Sequence, residues 1–177
     1  MQVHVESLLL GILSGIIASL LFHLLLKKDT PKIKISDTIA MRSDEEHTEY
    51  RIKVVNLRKR YVSHVSVFLF LDNMENGPDG RILREKPLVV YSEDIPFIDP
   101  KRRKDLDCKY AVRFRVDDNL LSKWEDKKHQ YLLLRLYCID EKSGSGKMFE
   151  KEYRSPNCII EGSFETGASM AIRKQPF

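Results

Sequence analysis

The sequence predicts an all-β domain, an immunoglobulin-like β-sandwich, preceded by one N-terminal transmembrane α-helix. Three observations predict it. Residues 8–26, LLLGILSGIIASLLFHLLL, hold nineteen residues without a charge. After them, apolar and polar residues alternate with the period of two expected of half-buried strands. Turn residues then punctuate those segments at fairly even spacing, giving about eight strands and one small helix, as two packed sheets require.

The N-terminal stretch comes first. Thirteen of its nineteen residues are Leu, Ile or Phe, which favours insertion by about 4–8 kcal/mol. A helix of that length reaches roughly 28 Å, close to the roughly 30 Å hydrocarbon core of a bilayer. The alternative is a buried core helix. Gly11, Gly15, Ser19 and His23 recur every four residues, flanked by Ser7, Ser14 and Ala18. Small residues at this spacing let helix backbones approach closely, so this face is a candidate for self-association or for docking on a partner membrane protein. A monomeric anchor with incidental glycines is the alternative.

No Lys or Arg precedes the helix, whereas Lys27, Lys28, Lys32 and Lys34 follow it. The positive-inside rule puts that flank in the cytoplasm. The expectation is a single-pass protein of the inner (plasma) membrane, with its N-terminus outside and its domain cytoplasmic. A cleaved signal peptide is the competing reading, but it calls for a basic leader and a small-residue cleavage site. The same four lysines are the candidate contacts for anionic lipid headgroups, each worth roughly 1 kcal/mol near an anionic surface. The basic runs 58–60 and 101–104 add to them if their loops face the bilayer.

The chain divides into a leader 1–7, the helix 8–26, a juxtamembrane linker 27–31, a sandwich 32–166 and a tail 167–177. Pro31 breaks the helix. Residues 32–39 alternate as a strand and 42–49 read as a polar loop. Residues 50–56 and 61–71 are strands joined by a basic turn. Residues 73–80, NMENGPDG, close a hairpin. Residues 81–90 hold one or two short strands, with Pro87 arguing for an edge. Residues 91–107 read as an irregular connection and 108–116 as a strand. Residues 117–127 form a short helix capped by Asp117 or Asp118. Residues 131–139, YLLLRLYCI, are a central strand covered on both faces. Ser143 to Gly146 turn the chain into a strand over 147–153, and a last strand or turn lies around 158–164.

Little in the sequence asks for chemistry. The net charge of +4 does not imply a nucleic-acid partner. Cys108, Cys138 and Cys158 are an odd, widely spaced set beside apolar runs, which suits reduced, partly buried thiols. Gly144-Ser145-Gly146-Lys147 lacks the glycine at 141 and the Ser or Thr at 148 that a phosphate loop requires. The five histidines are scattered, and the acidic run 44–49 has no ligand spacing. No catalytic, cofactor-binding or metal-ligating residue is assigned.

The stretch 132–167 resembles the end of the cytoplasmic domain of inward-rectifier potassium channels. It shares an apolar strand, Asp140-Glu141-x-Ser143-Gly144, a mixed strand, Tyr153, Ile159 or Ile160, Gly162 and Phe164. Residues 51–58, RIKVVNLR, are similar to the Arg-x-x-Asn-x-Arg strand near the start of that domain. The resemblance implies an immunoglobulin-like sandwich, assembly around a symmetry axis and a response to anionic lipid. It does not imply channel activity, since the chain has no second membrane helix, pore helix or Gly-Tyr-Gly filter. The function expected is a non-enzymatic interaction or regulatory module, oligomeric and membrane-anchored. The alternative is a toxin- or defence-like effector whose helices assemble to disrupt the bilayer.

Overall fold

The computed structural model describes residues 2–28, 30–43, 47–78, 80–102, 107–117, 119–124 and 129–174; within the N-terminal helix it describes the side chains of Ser7 and of residues 10–25. That helix, α1, runs Gln2–Lys28. It is not amphipathic: its apolar side chains point to every side, and all those described are exposed, from Leu10 at 67% to Ile17 at 50%.

The expected transmembrane helix over 8–26 is corrected here. Among the described residues, no helix is long and apolar enough to cross a membrane. The unbroken run of described side chains, residues 10–25, is about 24 Å of helix at 1.5 Å per residue, short of a roughly 30 Å hydrocarbon core. The single-pass arrangement loses its support with it. The helix also continues through Lys27 and Lys28, which the sequence assigned to a linker.

The rest is mostly strand. In chain order come β1 (Ile33–Ile35), β2 (Ile39–Ser43), β3 (Thr48–Asn56), β4 (Val62–Gly77), β5 (Gly80–Leu88), β6 (Val90–Tyr91) and β7 (Asp94–Ile98). They are followed by β8 (Ala111–Val116), the short helix α2 (Leu120–Lys123), β9 (Gln130–Asp140) and β10 (Gly146–Tyr153). A 3-10 turn (Pro156–Cys158), β11 (Ile159–Glu161), β12 (Ser163–Phe164) and β13 (Ile172–Arg173) end the described chain.

One sheet has the order β11-β2-β3-β8-β6, with β1 also on β3; the other has the order β10-β9-β4-β5, with β7 also on β4; β12 and β13 pair separately. Constant immunoglobulin domains put strands A, B, E and D in one sheet and C, F and G in the other. Here β2, β3, β8 and β6 take the first set of places, and β4, β9 and β10 the second. The addition of β11 beside β2 is parallel.

The alternation of the sequence explains the core. Tyr50, Ile52 and Val54 of β3 face Val65, Val67, Leu69 and Leu71 of β4 and Leu132, Leu134 and Leu136 of β9, all essentially inaccessible to solvent. Leu120 and Trp124 close one end. Asn119, not Asp117 or Asp118, caps α2: its side chain accepts from Ser122 N, and Tyr50 Oη donates to the same oxygen at 3.1 Å.

Several boundaries differ from the sequence reading. β4 runs straight through the stretch read as a turn, because Gly77 and Gly80 pair directly and confine the turn between them. The supposed irregular connection contains β7, whose Pro96 lies on a strand paired only with the start of β4. The supposed tail is folded back as β13 onto β12. The acidic positions 44–46 lie outside the described residues.

Candidate functional site

The site begins at Asn56, the last residue of β3. Its buried side chain donates to Arg60 O at 2.8 Å and Asp99 O at 3.0 Å, and its oxygen accepts from Arg58 N at 2.9 Å. One amide thus fixes the basic turn after β3 against the end of β7. Lys101 N then donates to Arg58 O, and Leu57 N donates to Lys32 O. The guanidinium of Arg58 reaches Thr30 O through Nη2 at 2.7 Å and Nε at 3.1 Å. Segments far apart in sequence therefore meet at the root of α1.

The resulting surface is positive and partly apolar. Lys32, Lys34, Lys59, Lys101 and Arg102 are exposed, as are Leu57 and Phe97. Tyr61 sets its ring edge-on to Phe97, centroids 5.9 Å apart. Arg58 and Arg60 are half-buried, and Arg60 lies 3.7 Å from the buried carboxylate of Asp140. Of the sequence candidates, the structure places Lys32 in the hydrogen-bonded root and Lys34 on β1. Lys27 and Lys28 end α1, with side chains outside the described residues; Arg103 and Lys104 also lie outside them.

The helix-association face is open. A methyl group added at Gly11 or Gly15 would meet nothing within 4 Å. Ser14 Oγ donates back to Gly11 O at 2.9 Å, which removes its hydroxyl donor from competition with water. Ser19 and His23 are exposed on the same helix. Positions four apart advance by about 40° on a 3.6-residue helix, so these four form a row that winds around α1.

A second feature escaped the sequence. Lys53, on the outer face of β3, is fully buried under the chain between β12 and β13. Its ammonium donates to Glu165 O at 2.5 Å and Ser169 O at 2.7 Å, and lies 5.9 Å from the Phe164 ring centroid. Burial, reinforced by Arg113, lowers its pKa to about 8. Alternation with Ile52 and Val54 puts Lys53 on the outer face; nothing in a charged residue announces that a distant segment will cover it.

The remaining chemistry is sparse. Among the described residues no group of three or more His, Cys, Asp or Glu is placed to hold a metal. The three cysteines are free, and burial pushes the thiols of Cys138 and Cys158 up to about 12 and about 11, away from nucleophilic use. Lys147 of the Gly-Ser-Gly-Lys stretch sits on strand β10. Asp140 shapes the turn before it, accepting from Lys142 N and Ser143 N. Among the described residues no helix begins there to hold a phosphate.

No family model matches the chain. No curated protein matches it either. Among solved structures, one described as the X-ray structure of Northeast Structural Genomics Consortium target SoR45 is 16% identical. The match covers 74% of this chain and 90% of that one with a TM-score of 0.34, too low to carry an argument.

Proposed function

We infer that this chain is a non-enzymatic interaction module: copies assemble through the apolar helix α1, and the β-domain is held against an anionic membrane surface, on the cytoplasmic side of the inner membrane. The observation that carries this reading is the exposure of α1. An apolar surface this large, on every side of a helix, marks a protein–protein or membrane contact. Gly11 and Gly15 supply the place for close backbone approach. Lys32, Lys59, Lys101 and Arg102, gathered at the helix root, supply the charge that suits anionic headgroups, which are concentrated in the cytoplasmic leaflet. The resemblance of 132–167 to an assembling domain points the same way.

Cysteine scanning along α1 tests it. Single cysteines at positions 10–23 of the full chain, oxidised in membranes, are expected to cross-link with peaks at 11, 15 and 19. Uniform cross-linking, or none, would overturn assembly through this face. A second reading, a membrane-disrupting effector, rests on Ser19 and His23, exposed polar groups on the row with Gly11 and Gly15, which an assembly through that row would gather at its centre. Toxicity on overexpression that Gly15→Leu abolishes would favour it.

A further inference from the structure

The hairpin of β4 and β5 extends beyond the body of the domain. β9 accompanies β4 only as far as the pair Asn73–Gln130. Met74 N still donates to His129 O at 2.9 Å; from Glu75 onward, among the described residues, β4 has β5 alone for a partner, through to the closing pair Gly77–Gly80. Two-stranded ribbons are marginal in water without further support. This one also exposes apolar side chains on opposite faces, Ile82 at 47% and Leu83 at 45%. β5 is exposed from Gly80 to Pro87 and stands at the edge of its sheet.

The hydrogen-bonding direction of that edge follows from the turn. Gly77 and Gly80 are register partners with two residues between them, so they exchange both backbone hydrogen bonds. Pairs in an antiparallel ladder alternate between bonded and non-bonded. Ile82, Arg84, Lys86 and Leu88 therefore bond to β4. Arg81, Leu83 and Glu85 turn their N–H and C=O groups to the open side. Pro87 falls at a position where β4 needs no donor.

We propose that β5 pairs with β5 of a second copy of this chain, antiparallel, about a two-fold axis through Leu83. In that register Leu83 meets Leu83 and Arg81 meets Glu85 twice, so the edge is self-complementary in charge as well as in backbone donors and acceptors. A one-residue slip sets open groups against groups already used. A slip of two residues breaks both Arg81–Glu85 pairs, and in one direction sets Arg84 on Arg84. Arg135, which engages Glu85 through Oε1 at 3.2 Å, holds that carboxylate in place beside the edge. The pairing rests on the proposed assembly for its strength: helices that bring two copies together raise the effective concentration of one edge at the other.

Cross-linking of the full chain in detergent tests it, in a Cys108→Ser/Cys158→Ser background. Bonded partners have Cα atoms about 5.5 Å apart, whereas the two copies of residue 81 would stand about 14 Å apart along the strand. A short bis-thiosulfonate reagent is expected to join Leu83→Cys at least ten times faster than Arg81→Cys. Adding Arg81→Glu to Leu83→Cys is expected to slow it by a similar factor, and Arg81→Glu with Glu85→Arg to restore it. Equal rates at 81 and 83, absence of product at 83, or cross-linking at 83 only to a different protein would each overturn the pairing. The mass of the unlinked chain, read in parallel, reports separately on assembly through α1. A monomer that still links at 83 would overturn that assembly and not the strand pairing.

Discussion

Lys53 shows how a single buried cation can organise a chain end. Its ammonium is spent on two backbone carbonyls of one segment, so the charge anchors β12 and β13 to the outer face of β3. The sign of its pH dependence follows from its lowered pKa of about 8, against about 10.4 in an unfolded chain. Between these values the unfolded state binds more protons, and this group's contribution makes stability rise with pH. Lys53→Met is expected to remove that rise, so thermal unfolding between pH 7.5 and 10 should show a steeper upward slope for the natural chain than for the variant. Asp72 gives the opposite sign. Burial and then the Glu85 carboxylate raise its pKa, against Tyr131 and Arg135. Its folded pKa above the unfolded one makes it destabilising once pH exceeds the unfolded value. Asp72→Asn is expected to equal or exceed the natural chain in stability at pH 7, with the gap closing in acid. A large loss at pH 7 would contradict it.

At the scale of elements, the strands whose side chains alternate were legible: β3, β8 and β9 follow from the pattern of Val, Ile, Leu and aromatic residues, and Pro87 does mark an edge. What was not legible has physical causes. β7 is only five residues long, carries Pro96 at its middle and pairs with the start of β4, so its three apolar residues show no alternation. The hairpin was legible but its turn reads too long, over 73–80, since the Asn, Glu and Gly residues at the end of β4 have turn chemistry and a ribbon beyond the core carries no burial pattern. The folded-back C-terminal segment depends on one lysine and one glycine. Gly162 has φ +131, and an added methyl would strike Arg173 O and Ile172 Cγ2. Gly162→Ala is therefore expected to cost about 1–3 kcal/mol and to expose the amides of 163–173 to hydrogen exchange, while those of β9 stay protected. For the candidate site, the basic runs stood out in the sequence, but their meeting did not. It is made by the side chain of Asn56 and by backbone hydrogen bonds, which have no sequence signature. The helix itself was legible; its length of membrane-crossing character was overread.

At the scale of the whole molecule, two surfaces lie at opposite ends of β4: the basic root of α1 beside its start, and the hairpin arm at its far end. The root gives a lipid prediction. Neutral and anionic vesicles offer α1 the same hydrocarbon, so the difference in affinity between them isolates the charge. Lys59→Gln/Lys101→Gln/Arg102→Gln is expected to reduce that difference by about 3 kcal/mol, at roughly 1 kcal/mol per residue. An unchanged preference for anionic vesicles would exclude these three residues from lipid contact. Assembly through the open row on α1 is read from the mass of the full-length chain in detergent or nanodiscs beside Gly11→Leu/Gly15→Leu. The natural chain is expected to form a defined oligomer that the double variant reduces to monomer, because two leucines would hold the helix backbones apart. A monomer for the natural chain, or an oligomer that survives both leucines, would contradict it.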